Sequence, residues 1–490
     1  MKSWPNAAVA LAALLLGASV ATGQTWQALN NQPSFGVGAM LLLTDGSVLV
    51  HAEASDSRNW YRLTPDVNGS YVNGTWTQVA SLPAGYAPLY FSSAVLPDGR
   101  VIIEGGEYNN LSAVWTNQGA IYDPVADGWT PVAPPRGWRY IGDAPGTVLA
   151  NGIYMQSSCC TKEAALLDPA TLTWTSTGAG KFDVYDEEGW ALLPNGQVLT
   201  VDAYVFQYDA TGTNSELYNP GSGTWSSAGS TVVQLWDSCK GADKASYEVG
   251  PAALRPDKTV FAIGANRCGA AHTAIFDTRT GTWTAGPDFP GTLGVADGPA
   301  ALETNGKVLI MASPLVFKSG AKFLEWDGSS LNKIPGPAGL SSDSSYYGHF
   351  LQLPTGQLLF TDFSSDAEVF TPGGSYDPAW QPAIAKAPSS VTRGNTYTIS
   401  GTQFNGLSQG ATYGDDYQSA TNYPLVRIVN HATGHVFYCR THDHSTMAVA
   451  TGSKRVSTQF DVPADAETGA NDLFVVANGI PSAPVKVTVQ

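Results

Sequence analysis

Three of the seven histidines and one of the five cysteines of this chain fall in one short stretch, "HVFYCRTHDHSTMAVA", His435 to Ala450. Cys439, His442 and His444 stand there in a C-x2-H-x-H spacing. If the stretch continues as a strand, His442 and His444 project to the same side. With the thiol and Asp443 beside them, such a set binds zinc or copper. The plainer alternative is a hydrogen-bonded loop where two domains dock, and the spacing leaves both readings open.

A second set of reactive side chains recurs at a fixed point of a repeated pattern. The phrases "YAPLYFSS", "RYIGDAP", "YDEEGWA", "SYEVGPA", "VADGPAA" and "YYGHFLQ" each precede an apolar strand and a turn. They supply Tyr90, Arg139, Tyr140, Asp143, Tyr185, Asp186, Glu187, Glu188, Glu248, Asp297, Tyr346, Tyr347 and His349. Charged residues make up only 13% of the chain, so this concentration of carboxylates carries information. Gathered in one concave mouth, such groups must be solvated, paired or metal-bound. Three chemistries fit: a hard cation such as calcium on carboxylate oxygens, carboxylate acid–base work on a glycosidic bond by Glu187 and Asp297, or a transition metal on tyrosine and histidine. Interleaved tyrosines suit a sugar ring, with Arg139, Tyr140, Asp143, Tyr185, Glu248 and Tyr347 as substrate contacts. The competing structural role is capping of loops through backbone amides.

The elements that must position these residues are also legible. An Asx- or Thr-Gly turn followed by an apolar strand appears at Asp45, Asp98, Asn151, Asn195, Asn305 and Thr355, with "PDKTVFA" at Asp257 as a variant. Such turns between strand-like runs mark hairpins. A second hairpin with a Trp-bearing strand follows most of them, as in "LLDPATLTWTST" and "IFDTRTGTWTAG". Seven units of roughly 50 residues and four strands each predict an all-β, seven-bladed kelch-type β-propeller. The tryptophans are expected to pack between blades. The seventh repeat lacks its Trp strand, and "TWQALNNQP" at the N-terminus is expected to complete that blade. From about Pro382 the phrases "NTYTISGTQF", "YPLVRIVN" and "RVSTQFDVP" read as an immunoglobulin-like (early-set) β-sandwich. The polar, aromatic stretch "YGDDYQSATNYP", Tyr413 to Pro424, reads as an inter-domain contact loop. The expected organisation is a leader at 1–23, the propeller at 24–381 and the sandwich at 382–490.

Together, repeats and sandwich resemble galactose oxidase and its relatives. That resemblance implies a mononuclear copper on the propeller axis, held by two tyrosines and two histidines, that oxidises primary alcohols on sugars with O2. By position it implies Tyr90 in "YFSSAVLPDGRV" and Tyr346 in "SSYYGHFLQLPTGQ" as copper ligands. Tyr347 stands where the family has a histidine, and His349 lies two residues on. The histidine that reaches in from the sandwich falls at His442, with His444 as its neighbour. The family's crosslinking cysteine falls near Val37 in "SFGVGAMLLLTDG", where this chain has none. The chain thus reads as a divergent member without the Tyr–Cys cofactor. The reactions to weigh are copper-dependent oxidation of a sugar alcohol, glycan lyase or hydrolase chemistry in the acidic mouth, and glycan binding without catalysis in the cell envelope.

The remaining signals concern compartment and partners. Lys2 and the short apolar run Ala7 to Leu16 have the form of a secretory signal, too short to span a bilayer. A secreted or extracellular protein is expected, periplasmic in a Gram-negative host. Five cysteines then suggest disulfides: a vicinal Cys159–Cys160 bridge and a Cys239–Cys268 pair. A net charge of −16 argues against nucleic acid or an anionic membrane as partner. A monomer acting on a carbohydrate or small alcohol is the expected state. No P-loop, dinucleotide fingerprint or nucleophile elbow appears.

Overall fold

The computed structural model describes residues 23–53, 57–205, 212–237, 246–266 and 268–490. Within them lie seven sheets of the propeller type, six of four strands and one extended by further strands. Their innermost strands are Gly36–Leu42, Ser92–Val95, Gly146–Val148, Trp190–Leu192, Ala252–Leu254, Ala300–Leu302 and His349–Gln352. These are almost wholly buried, as strands packed on both faces must be.

The repeated turn explains each hairpin. In the first blade Asp45 Oδ1 accepts from the Ser47 amide at 3.0 Å while Gly46 adopts a left-handed backbone. The same Asx bond recurs from Asp98 to the Arg100 amide, Asn151 to Ile153, Asn195 to Gln197, Asp257 to Thr259 and Asn305 to Lys307. A short polar side chain that bonds two residues on fixes the turn locally. In the fifth repeat Lys258 takes the glycine position at φ 69°. The tryptophans link neighbouring blades: Trp129 Nε1 donates to Ala80 O (2.8 Å) and Trp174 Nε1 to Ala133 O (2.7 Å). Thr25–Ala28 pairs antiparallel with Glu368–Thr371, so the N-terminal strand supplies the outer strand of the seventh blade as expected.

The C-terminal strands run Ala383–Lys386, Thr396–Thr402, Val456–Asp461, Val436–His442, Leu425–Asn430, Gly469–Ala477, Val485–Val489 and Ser390–Val391 in spatial order. They enclose a core of Ile399, Val426, Ile428, Cys439, Phe460 and Leu473. This sandwich sits on the Asx turns. The Thr441 amide donates to Thr44 O (3.0 Å), Arg440 Nη2 to Asp98 O (2.8 Å) and the Met447 amide to Ala150 O (3.0 Å). The sandwich makes these contacts at one mouth of the channel, and the inner strands begin at the opposite mouth.

The expected vicinal disulfide does not form. Cys159 and Cys160 are free thiols with Sγ atoms 2.8 Å apart, whereas a disulfide needs about 2.05 Å. Cys159 turns into an apolar cluster with Ile141 and Ala144, and Cys160 turns toward Asp186 at 4.0 Å. Cys268 is disulfide-bonded, and Cys239, its expected partner, lies outside the described residues. The leader expected at 1–23 lies outside them as well, apart from Gly23.

Candidate functional site

At the open mouth lies a cavity of about 360 Å³. Seven carboxyl groups line it, from Glu107, Asp143, Glu187, Glu248, Asp297, Asp415 and Asp416, together with the rings of Tyr90, Tyr108, Phe317 and Tyr346. Among the described lining residues there is no lysine, arginine, histidine or cysteine. Six different connections therefore send acids to one point, and no lysine or arginine among the described lining residues meets them there.

The backbone aims several of these side chains. Tyr90 (φ 52°), Glu187 (φ 61°) and Asp297 (φ 43°) each stand in the left-handed region just before an innermost strand. That conformation costs a non-glycine residue about 1 kcal/mol or more, so it persists only where the surroundings enforce it. For Tyr90 the enforcement is visible: its amide donates to Tyr417 Oη at 2.9 Å. Glu107 and Tyr108 are held over the mouth by a small extra sheet in which Pro88–Leu89 pairs with Tyr108–Asn109. The Glu107 amide donates to both Leu89 O (3.1 Å) and Tyr90 O (3.0 Å).

The floor comes from the sandwich. The connection between Thr396–Thr402 and Leu425–Asn430 leaves that domain and enters the channel. Ala411–Thr412 adds a strand to the innermost strand of the sixth blade, with Ala300 opposite Thr412. Further bonds reach other blades: the Leu192 amide to Gln409 Oε1 (2.8 Å), Tyr413 Oη to Tyr346 O (2.6 Å), Ser419 Oγ to Met40 O (3.3 Å) and Tyr423 Oη to Leu42 O. Residues 413–419 are buried throughout, and Asp415 and Asp416 form the tip. Gly414 permits the closest approach, because a Cβ there would lie 2.4 Å from Asp297 Oδ1.

Electrostatics follow from this crowding. Burial, then neighbouring carboxylates, hold Asp143, Glu187, Glu248, Asp415 and Asp416 well above the ordinary carboxyl range. Burial pushes Asp297 up to about 6. Burial, then Asp297 and Asp186, push Glu107 up to about 7. Burial also raises the phenols of Tyr90 and Tyr346. Near neutral pH the cavity thus holds carboxyl groups in both protonation states, a condition for acid–base work.

Of the residues singled out from sequence, Tyr90, Asp143, Glu187, Glu248, Asp297 and Tyr346 meet in this cavity. Arg139 is exposed, and Tyr140 packs on Trp115 instead. Tyr185 is buried in the fourth blade, its Oη accepting from Trp225 Nε1 at 2.7 Å. Tyr347 lies between Tyr346 and Phe363. His349 is buried behind the finger, stacked on Tyr413 at 5.2 Å, and burial lowers its pKa to about 3.

The C-x2-H-x-H stretch does not reach the axis. Val436–His442 is an interior strand, paired on one side with Leu425–Asn430 and on the other with Val456–Asp461, so it cannot leave the sandwich. Cys439 and His442, an odd number of residues apart, face opposite sides, and the thiol is in the core. His442 bonds Asp443 (2.9 Å) and Asp461 (3.1 Å). His444 Nδ1 meets Thr458 Oγ1 at 2.9 Å, and burial lowers its pKa to about 3. The stretch is the docking loop of the plainer alternative. The reaching finger is "YGDDYQSATNYP", and its paired aspartates were the signal that could have marked it.

The missing cysteine has a structural counterpart. Around Val37 the space is taken: a Cβ on Gly38 would lie 2.6 Å from Glu53 Oε2, and Glu53 pairs with His51 (3.3 Å).

Comparison with known proteins agrees with the architecture. No protein-family model matches the chain. It is 28% identical over 129 residues to a Kelch-like protein, terF, of Aspergillus terreus (strain NIH 2624 / FGSC A1156), which covers 25% of this chain. The chain matches about a quarter (26%) of that curated relative's length. Among solved structures it is similar to a fungal alcohol oxidase of the AA5 family in complex with copper, at 15% identity and TM-score 0.50 over 96% of this chain and 100% of that one. A streptogramin B lyase aligns over 71% of this chain and 97% of its own at TM-score 0.48 and 10% identity. The likenesses to the AA5 alcohol oxidase and to the Kelch-like protein support a galactose oxidase-like kelch propeller fold.

Proposed function

We propose that this protein acts outside the cell on carbohydrate, hydrolysing a glycosidic bond in the axial cavity by carboxyl acid–base chemistry. The observation that carries this reading is a single cavity lined by seven carboxyl groups and four aromatic rings, with no basic side chain among the described lining residues. Phe317, 40% exposed, lines the mouth, and Trp115, 45% exposed, stands against Gly142 beside Asp143. Open aromatic faces above a ring of hydrogen-bond acceptors suit a sugar, which offers an apolar face and hydroxyl edges.

Glu107 is the acid. It stands at the rim beside Tyr108 and Tyr90 and shares the cavity with Asp297, Asp143 and Asp416, whose charges it feels. Held near 7, it still carries its proton in a large share of molecules at neutral pH and gives it to the glycosidic oxygen as the C–O bond breaks. An ionised carboxylate of the inner group takes a proton from the water that adds to the anomeric carbon. The copper chemistry implied by the fold family does not fit this donor set. Tyr90 and Tyr346 are present, but no imidazole or thiol lines the cavity among the described residues. Copper sites of that type need nitrogen or sulfur donors, and oxygen-only sets select hard cations.

Release of reducing ends from a panel of neutral, amino and acidic glycans tests the proposal. Wild type should cleave a member of the panel, and Glu107→Gln should lose about 100-fold or more of that rate with its fold intact. Undiminished turnover by Glu107→Gln refutes the role of Glu107. Sugar binding without any cleavage refutes the hydrolase and makes the cavity a recognition site. Oxidation of the sugar with peroxide release reinstates the copper reading.

A further inference from the structure

We infer that Glu187, Asp297 and Asp415 together hold one hard divalent cation of the calcium class, at the floor of the axial cavity. The inference rests on the reading of that cavity as the functional site, but not on the reaction assigned to it.

The geometry is the first argument. One carboxylate oxygen from each of the three residues lies within 4.8 Å of the other two. Oxygens bound to calcium at about 2.3–2.6 Å sit no more than about 5 Å from one another, so one ion can touch all three without rearrangement. The three residues come from the fourth blade, the sixth blade and the finger. Their meeting is a product of the tertiary fold and not of a local acidic run.

The second argument is unmet bonding. Asp415 is only 4% exposed and lines the cavity, yet among the described residues its Oδ2 has no hydrogen-bond partner. Beside the triad, Glu248 is 7% exposed and its Oε2 is likewise unpartnered. A buried carboxylate oxygen without a donor costs several kcal/mol unless a proton or a cation meets it. No lysine or arginine of the described lining does so. A cation would satisfy the orphaned oxygens and remove the mutual repulsion in one step.

Selectivity follows from ligand type. An all-oxygen, multi-carboxylate set favours calcium over copper or zinc, and a roomy cavity favours it over magnesium, which demands tight octahedral geometry. Three protein ligands leave coordination positions facing the open mouth. Water fills them in the free protein, and a pair of sugar hydroxyls replaces it on binding. Glu107, outside the triad, remains the titrating acid.

The test uses the full chain, stripped with chelator and titrated with calcium chloride by calorimetry and thermal unfolding. One calcium per chain should bind and raise the unfolding temperature. Asp415→Asn and Glu187→Gln should each weaken binding at least 10-fold while the circular dichroism spectrum stays native. Copper sulfate should give no stoichiometric heat at this site. Absence of a calcium heat and of a thermal shift in folded wild type overturns the inference. So does calcium binding that Asp415→Asn and Glu187→Gln leave unchanged. Glu107→Gln separates the two readings, because it should keep the calcium titration while losing turnover. Calcium binding with no glycan cleaved removes the hydrolase alone, and glycan cleavage by a folded protein that gives no calcium heat removes the cation alone.

Discussion

Glu187 and Glu188 are neighbours in sequence and belong to two opposite solutions of one problem. Glu188 turns away from the axis to a buried lysine. Lys181 Nζ meets Glu188 at 2.7 Å, Glu216 at 2.7 Å, Asp202 at 3.1 Å and also Asp183. Their remaining oxygens are supplied as well: Thr200 Oγ1 donates to Glu188, the Tyr204 amide to Asp183, the Phe182 amide to Glu216 and Asn214 Nδ2 to Asp202. Glu187 turns to the axial cavity, where acids outnumber every other polar type and several oxygens have no partner. One cluster is given a buried ammonium of its own and donors for its remaining oxygens, whereas the next has neither a lysine nor an arginine among the described lining residues. The first cluster is structural because its cation is covalently part of the chain. The second is open because its counter-charge or proton must come and go.

The largest effect expected from this contrast is at Lys181. Lys181→Met leaves four buried carboxylates without their ammonium and should cost about 3–5 kcal/mol, if the chain folds at all. Thermal unfolding and expression yield report it. The mirror experiment is Glu187→Gln in chelated protein, which removes repulsion and should leave the unfolding midpoint unchanged or higher. A large loss on Glu187→Gln, or none on Lys181→Met, breaks the distinction between the clusters.

Next in size is the dependence of stability on pH. Burial lifts Glu216 and Glu107 to about 7 from the ordinary 4.5. Above about pH 4.5 the unfolded chain has released these protons and the folded chain has not. The stability these two groups contribute therefore falls as pH rises from about 4.5 to 7, and changes no further beyond. The slope per fully buried group approaches about 1.4 kcal/mol per pH unit, and is smaller for Glu107, which is half-buried. Midpoints measured across this range should decline in wild type, decline less in Glu216→Gln, and change least from wild type in Glu107→Gln. Turnover should also fall as pH rises through about 7, where Glu107 loses its proton, and Glu107→Gln should lack that limb.

What could be foreseen follows the same division between local and tertiary causes. The blades were legible because each Asx turn is fixed by bonds two residues apart, as from Asp45 to Ser47. Asp143, Glu248 and Asp297 were legible because they recur at one point of the repeat. Tyr185 and Glu188 were misplaced beside Glu187 because a residue or two along the chain exchanges the axis for the space between blades, as Trp225 over Tyr185 shows. Glu107 was missed because it follows the second strand of its blade and is brought over the mouth by pairing with Pro88–Leu89. Asp415 and Asp416 were missed for a deeper reason. The finger's path is decided by bonds to strands more than 200 residues away in sequence, such as Leu192, and no local pattern encodes them.

The smallest expected effect sharpens the comparison between the two candidate fingers. His442 is bonded to Asp443 and Asp461, and its strand is locked between two neighbours. His442→Ala removes partly exposed hydrogen bonds to Asp443 and Asp461 and should cost no more than about 1 kcal/mol. Its calcium titration and glycan turnover should match wild type, because no atom of His442 faces the cavity. Tyr417→Phe, in the true finger, removes only one oxygen but leaves the Tyr90 amide without its acceptor. The stability cost is similar, about 1 kcal/mol. Here, however, Tyr90 loses the bond that holds it at φ 52°, and sugar affinity should fall with it. Equal stability loss with unequal loss of sugar binding, read by calorimetry on both variants, identifies the finger that serves the site. Loss of binding in His442→Ala would return the role to the C-x2-H-x-H stretch.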